Sequence, residues 1–311
     1  MRLCRIGPES SPRAAFYDEL GIVPIDEAAA AFEKATGERL ALPDGDDLLP
    51  FLPPAGRGLA GVRKLSAWLE GRPKSPSSYE LLVPIPKPNK ILLLAGNYAE
   101  HIVEQSGVAA ERAETFPYVF LKPGSTTLNH PGKPVAIPRV SPNAIDWELE
   151  LAVVIGKKCK DVSEADALNY VAGYTIINDI TNRKFRPNPG RKKRERDAFF
   201  DWLHGKWFDG FCPCGPCIAS VDAIPDPQAL PMKLTLNGRT RQDASTSMMI
   251  FPVAAVIEFI SSMTTLEPGD LISTGTPSGV GNATGTYLKP GDVMHGTIAG
   301  IGTLVTTMAA E

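Results

Sequence analysis

Two glutamates one residue apart begin the run Glu148-Leu149-Glu150-Leu151-Ala152-Val153-Val154-Ile155, whose remainder has the composition of a buried strand. Side chains alternate along a strand, so Trp147, Leu149, Leu151, Val153 and Ile155 share one face and the two carboxylates share the other, about 7 Å apart. Like charges that close in an apolar setting repel unless a cation neutralises them. Taken alone, the pair also suits an exposed face answered by Lys or Arg. A third carboxylate closes the apolar run Gly173 to Asn178-Asp179, at the kind of strand end that presents functional groups. Asp179 could instead cap the following turn. Three carboxylates from two strands form a hard-oxygen set suited to Mg2+ or Mn2+, with three octahedral positions left for water and substrate. Zinc would usually recruit His or Cys. His101 and Glu104 stand three apart in a segment that breaks from a strand at Gly96 and turns helical, which places them on one helix face. A carboxylate beside an imidazole fixes the tautomer of a water-activating base, although an ordinary surface pair has the same spacing.

The elements that must carry these groups are short. Apolar, β-branched runs separated by Pro and Gly predict strands at 91–95, 118–121, 149–155, 174–177, 271–274 and 300–308. Asn237-Gly238 between two extended segments predicts a hairpin. Helices are expected over 99–105, 163–170 and 253–263, and ahead of them over 25–36 and 61–69. Strands outnumber helices without regular βαβ alternation, which excludes a doubly wound sheet or a TIM barrel and leaves a β-rich α+β fold. A Pro-, Ser- and Lys-rich passage divides the chain into a small N-terminal region (1–75), a linker (76–89) and a main domain (90–311).

Composition narrows the function classes. The net charge of -3 gives no general attraction to nucleic acid or anionic membranes. No window approaches the roughly 18 apolar residues of a membrane helix, and Glu9 and Ser10 interrupt any export signal. Five cysteines, an odd number, suit a reducing cytoplasm better than a disulfide framework. Cys212, Cys214 and Cys217 are too cramped for a zinc ribbon and read as small buried thiols. The basic run 187–196 lacks interleaved aromatics and reads as a solvated loop.

Taken in order, the blocks Asn97-Tyr98 with His101 and Glu104, Phe120-Leu121-Lys122-Pro123, Glu148 to Gly156, Gly173 to Asp179, Gly205-Lys206, Gly215-Pro216 and Ser273-Thr274-Gly275-Thr276-Pro277-Ser278-Gly279-Val280 resemble the catalytic domain of the fumarylacetoacetate hydrolase family over about residues 90–308. The resemblance implies a mixed β-sandwich roll, commonly a homodimer. It implies metal ligation by Glu148, Glu150 and Asp179, with Mg2+ or Mn2+ as cofactor, and water activation by His101 with Glu104 on a mobile lid helix. It also implies that Lys206 stabilises an enolate, that Arg183 binds substrate oxygens, and that Gly275 and Thr276 meet the substrate carboxylate. Uncharged replacements at Arg183 or Lys206 should then hurt catalysis more than folding. Many relatives carry an acidic residue and a Gln soon after the Arg, where this chain has Lys184, Arg186 and the basic insertion.

The implied reaction is hydrolytic C–C cleavage of a small 2,4-dioxo acid resembling an acylpyruvate or fumarylpyruvate. Decarboxylation or keto-enol isomerisation of a 2-oxo acid would use the same site, since both pass through an enolate. A binding protein that has lost turnover is the competitor from another class. The pairing of His101 with Glu104 counts against it, because capture alone needs no water-activating group.

Overall fold

The Leu149–Ile155 strand is buried along its whole length, and its alternation sends two sets of side chains into two different cores. Leu149, Leu151, Val153 and Ile155 pack with Met232, Leu234, Met294 and Leu304. Ala152 and Val154, on the opposite face, pack with Phe32, Val62 and Leu65 near the N-terminus. Glu148 and Glu150 continue this second face beyond its apolar part. One strand thus holds the layers together and carries two acidic groups at its end.

The computed structural model describes residues 1–72 and 79–311; residues 73–78, the end of the expected N-terminal region and the start of the expected linker, lie outside the described residues. Among the described residues the largest sheet has eleven strands. Its main path runs Val23–Pro24, Arg13–Phe16, Arg2–Ile6, Cys212–Ser220, Val171–Asn178, Leu149–Ile155, Leu271–Ser273, Ile91–Ala95 and Tyr118–Leu121. Leu271–Ser273 and Ile91–Ala95 are parallel, whereas Leu149–Ile155 runs antiparallel to both neighbours. A five-stranded sheet, Arg239–Ser245, Pro231–Leu236, Val293–Ile298, Gly302–Ala310 and Val135–Ile137, covers the first face. The architecture is the β-rich α+β class that the strand pattern predicts.

Local signals account for much of this. Asn237 and Gly238 both have positive φ, 49° and 77°, the left-handed pair that a tight hairpin between Pro231–Leu236 and Arg239–Ser245 requires. The Ile25–Thr36 helix buries Ile25, Ala28 and Phe32 on one stripe and ends at a left-handed Gly37. The helix expected over 163–170 shortens to a 3-10 turn at Ala167–Tyr170. There Ser163 Oγ bonds both the side chain and the backbone N–H of Asp166, local bonds that compete with helix.

The Arg2–Ile6 strand joins the main sheet directly, with Leu3 opposite Ile218. The cysteine-rich run Cys212–Ser220 is its neighbour, a fully buried strand despite two prolines. All five cysteines are buried free thiols. Among the described residues no helix is long and apolar enough to cross a membrane.

Candidate active site

Glu148, Glu150 and Asp179 come together. Oxygens of the three buried carboxylates lie within 4.8 Å of one another, because Leu149 pairs with Asn178 across the two adjacent strands and so brings their acidic ends level. Neighbouring groups hold each one. The amide N–H of Glu148 donates to Asn178 Oδ1 at 3.0 Å, and that of Asp179 to the Glu148 carbonyl at 2.8 Å. Glu150 Oε2 accepts from Ser273 Oγ at 2.6 Å and from the Gly275 amide at 2.9 Å.

Three cations surround the cluster. Lys206 Nζ donates to Glu148 Oε2 at 2.8 Å, Asp179 Oδ2 at 2.6 Å and Thr181 Oγ1 at 2.9 Å. Arg183 bridges Glu148 Oε1 and Asp146 Oδ2. Lys122 donates to Asp179 Oδ1 at 2.5 Å and to the carbonyls of Phe211 and Ile180 at 2.7 and 3.2 Å. Asp146 also accepts from the amides of Gly281 and Asn282 at 2.6 and 3.0 Å.

With all four ionised, the carboxylates would exceed the three fixed cations by one negative charge in a buried setting, and that excess falls on Glu150. Burial pushes Glu150 well above the usual carboxylate range, and Asp179 and Glu148 push it the same way. Glu148 goes the other way. Burial alone would raise it, but Arg183, Lys206 and His101 hold it well below the usual range. Lys206, which burial would lower, stays above its ordinary value because Asp179 and Glu148 face it. The donor set fits a divalent cation: hard oxygens only, buried, and short of positive charge. With such an ion bound and all four carboxylates ionised, the site would be net positive, which suits an anionic substrate.

His101 and Glu104 sit on the short helix Ala99–Glu104. His101 Nδ1 lies 2.7 Å from Glu104 Oε1. Glu104 Oε2 accepts from the Gly279 amide at 2.8 Å, which ties the helix to the Ser273–Val280 loop. The carboxylate places the imidazole proton on Nδ1 and leaves Nε2 as an acceptor. A cavity of about 530 Å³ has His101 and Arg183 in its lining, beside Ile102, Phe116, Tyr118, Trp202, Ile250 and Phe251.

The Gly275-Thr276 turn is occupied with support. Gly275 has φ +88° and a Cβ there would lie 3.0 Å from Asn97 Cβ, so glycine permits both the turn and the close approach. Its amide is given to Glu150. Thr276 Oγ1 donates to the Leu149 carbonyl at 3.0 Å and accepts from Gln242 Nε2 at 2.8 Å. Gln242 Oε1 accepts from the Leu149 amide at 3.1 Å, so Gln242 spans the strand and the turn. Asp146, Lys122 and Gln242 were not assigned roles from sequence. Lys122 carried a signal, a lysine closing the apolar run Tyr118–Leu121; Gln242 carried none, being one polar residue among several in an amphipathic hairpin strand. In the basic insertion, Arg191 pairs with Asp197 and Asp201, and Arg194 with Asp197.

The fumarylacetoacetate (FAA) hydrolase C-terminal family model matches residues 90–309. The chain belongs to the fumarylacetoacetate hydrolase family. Within it, the chain is 36% identical to a 2,4-didehydro-3-deoxy-L-rhamnonate hydrolase of Sphingomonas sp. strain SKA58, over 97% of this chain and 94% of that protein. It is 38% identical to a mitochondrial oxaloacetate tautomerase of Xenopus laevis, over 74% of this chain and 68% of that one. Maleylpyruvate hydrolase from Sphingobium sp. SYK-6, solved with manganese(II) and pyruvate, superposes with a TM-score of 0.71 at 30% identity, covering 100% of this chain and 99% of that one. The fold is therefore the family's own along the whole chain, and the family includes both hydrolases and tautomerases.

Proposed function

We propose that the protein is a divalent-metal-dependent hydrolase that cleaves a C–C bond in a small 2,4-dioxo acid of the acylpyruvate or fumarylpyruvate type. The observation that carries this reading is the meeting of three buried carboxylates with Lys206, Arg183 and a His101–Glu104 pair. Mg2+ or Mn2+ held by Glu148, Glu150 and Asp179 would supply Lewis acidity toward adjacent carboxylate and carbonyl oxygens of the substrate. His101 Nε2 takes a proton from water while Glu104 holds Nδ1. The hydroxide attacks the distal carbonyl, and the C–C bond from that carbonyl to the methylene breaks to release one acid. Lys206 and Arg183 offset the charge on the departing enolate, and the proton held by His101 passes to the enolate carbon to give the second acid. Thr276 meets the substrate carboxylate once its hydroxyl proton is released from the Leu149 carbonyl, whereas Gly275, with its amide given to Glu150, aims that ligand. The protein works in the cytoplasm as a homodimer in this reading, which sedimentation would check.

Incubation of 2,4-dioxo acids with the protein and Mn2+ should yield two acids by mass spectrometry, and chelation should abolish them. Glu148→Ala and His101→Ala variants should each lose at least about 100-fold in kcat. Undiminished cleavage in both would overturn the mechanism. Kinship to an oxaloacetate tautomerase favours one second reading, keto-enol isomerisation. That reaction preserves mass, so the same assay separates the two.

A further inference from the structure

The cavity beside His101 and Arg183 is walled mainly by apolar side chains, among them Ile102, Phe116 and Trp202. Gln105, directly after the lid helix, breaks that character. Its Oε1 accepts from Asn282 Nδ2 at 2.7 Å, and Asn282 Oδ1 in turn accepts from Tyr287 OH at 2.9 Å. Asn282 is itself fixed through its amide, which donates to Asp146 at 3.0 Å, the carboxylate that also holds Arg183. The carboxamide is thereby held with its nitrogen left over. Gln105 Nε2 is buried and has no hydrogen-bond partner, and Gln105 lines this cavity. An N–H kept from water and left unmatched costs free energy that a ligand acceptor would recover.

We infer that Gln105 is a specificity-determining residue whose Nε2 donates to an oxygen acceptor, a carboxylate or carbonyl, on the distal part of the substrate. This rests on the 2-oxo-acid reading for where the near end binds. The far end is then several carbons long, apolar where it passes Ile102, Phe116 and Trp202, and oxygen-bearing where it reaches Gln105. A plain alkyl tail fills the same space but leaves the N–H unpaired, which is how a polar group in an apolar wall discriminates.

The test is equilibrium binding by calorimetry, with Mn2+ saturating, of two six-carbon 2-oxo acids that end in a methyl group or in a carboxylate. The native protein should prefer the carboxylate-ended acid. Gln105→Met should lower that preference by about 10- to 100-fold while changing affinity for the methyl-ended acid by less than about 3-fold. Gln105→Glu, nearly isosteric, should lose the preference at least as fully, and it serves if the Met variant folds poorly. Equal loss for both ligands, an unchanged preference, or a native protein that binds neither or both alike would overturn the inference. Because the readout is affinity, it separates from the hydrolase reading. A protein that shows the loss yet cleaves no 2,4-dioxo acid keeps Gln105 and forfeits hydrolysis, and one that cleaves without the loss does the reverse.

Discussion

Glu150 and Lys122 show how much of this site depends on charge held out of water. Glu150 is raised by burial and by the two neighbouring carboxylates, so without a divalent cation the folded protein favours its protonated form. A group raised in the folded state contributes stability below its unfolded pKa, about 4.3, and loses it as pH rises through the folded value. The metal-free protein should therefore lose thermal stability as pH rises above the unfolded-state value of about 4.3. Added Mn2+ must displace that proton, so its stabilising shift in Tm should grow over the same range. Glu150→Gln should flatten the metal-free slope, and a slope unchanged by that substitution would sink the account. Lys122 is a different case, because two of its three bonds go to backbone carbonyls and one to Asp179. Lys122→Met leaves a buried carboxylate short of a partner, and urea denaturation should register a cost of about 3–5 kcal/mol. Lys206 and Arg183 are buried ion-pair partners too, so their uncharged variants should be compared with Lys122→Met to separate lost catalysis from lost folding.

At the scale of elements, the short helix Ala99–Glu104 matters more than its length suggests. It buries one residue, His101, and so cannot be held by an apolar stripe. Its attachment is polar instead: Glu104 to the Gly279 amide at 2.8 Å and Ser278 Oγ to Glu100 at 3.1 Å. Glu104 uses one oxygen on the imidazole and the other on the loop, and a carboxylate accepts at both. A carboxamide accepts at one oxygen and turns an N–H donor toward the other. Glu104→Gln should thus lower kcat by about 10²–10⁴-fold, in the range where an orienting carboxylate opposite a catalytic imidazole is lost. KM should change much less, since Lys206, Arg183 and the three clustered carboxylates stay in place. An equal fall in kcat and rise in KM would show that Glu104 holds the helix against the loop rather than the proton on the imidazole.

At the scale of the whole molecule, the strands legible in the sequence are those whose side chains meet one condition over several consecutive residues. Ile91–Ala95 is a continuous apolar run, Leu149–Ile155 is one broken only by Glu150, and the metal-ligand candidates could be read because Glu148 and Glu150 stand at the strand period at its start. Arg2–Ile6 and Arg13–Phe16 were not legible. Both are short and carry arginines; Arg13–Phe16 pairs with Arg2–Ile6, and Arg2–Ile6 joins the sheet against Cys212–Ser220, some 200 residues away. That strand was obscured in turn by its prolines and glycine. The helix Asp197–His204 sets Asp197, Asp201 and His204 on one side and packs Trp202 and Leu203 on the core, but it is short, follows the basic run and leaves Phe199 and Phe200 exposed. The same long-range pairing gives a prediction for the molecule as a unit. Burial pushes the thiols of Cys4 and Cys212 up to about 12 and those of Cys214 and Cys217 well above their ordinary value. A thiolate-directed reagent at pH 8 should label none of them in the native state. Cys4 lies in the N-terminal strand and Cys217 in the strand beside it, both in one core. In a urea titration read by mass spectrometry, Cys4 and Cys217 should become reactive at one common midpoint, because opening either strand exposes the face of the other. A midpoint for Cys4 well below that of Cys217 would mean that the first strands detach while the catalytic sheet stays folded.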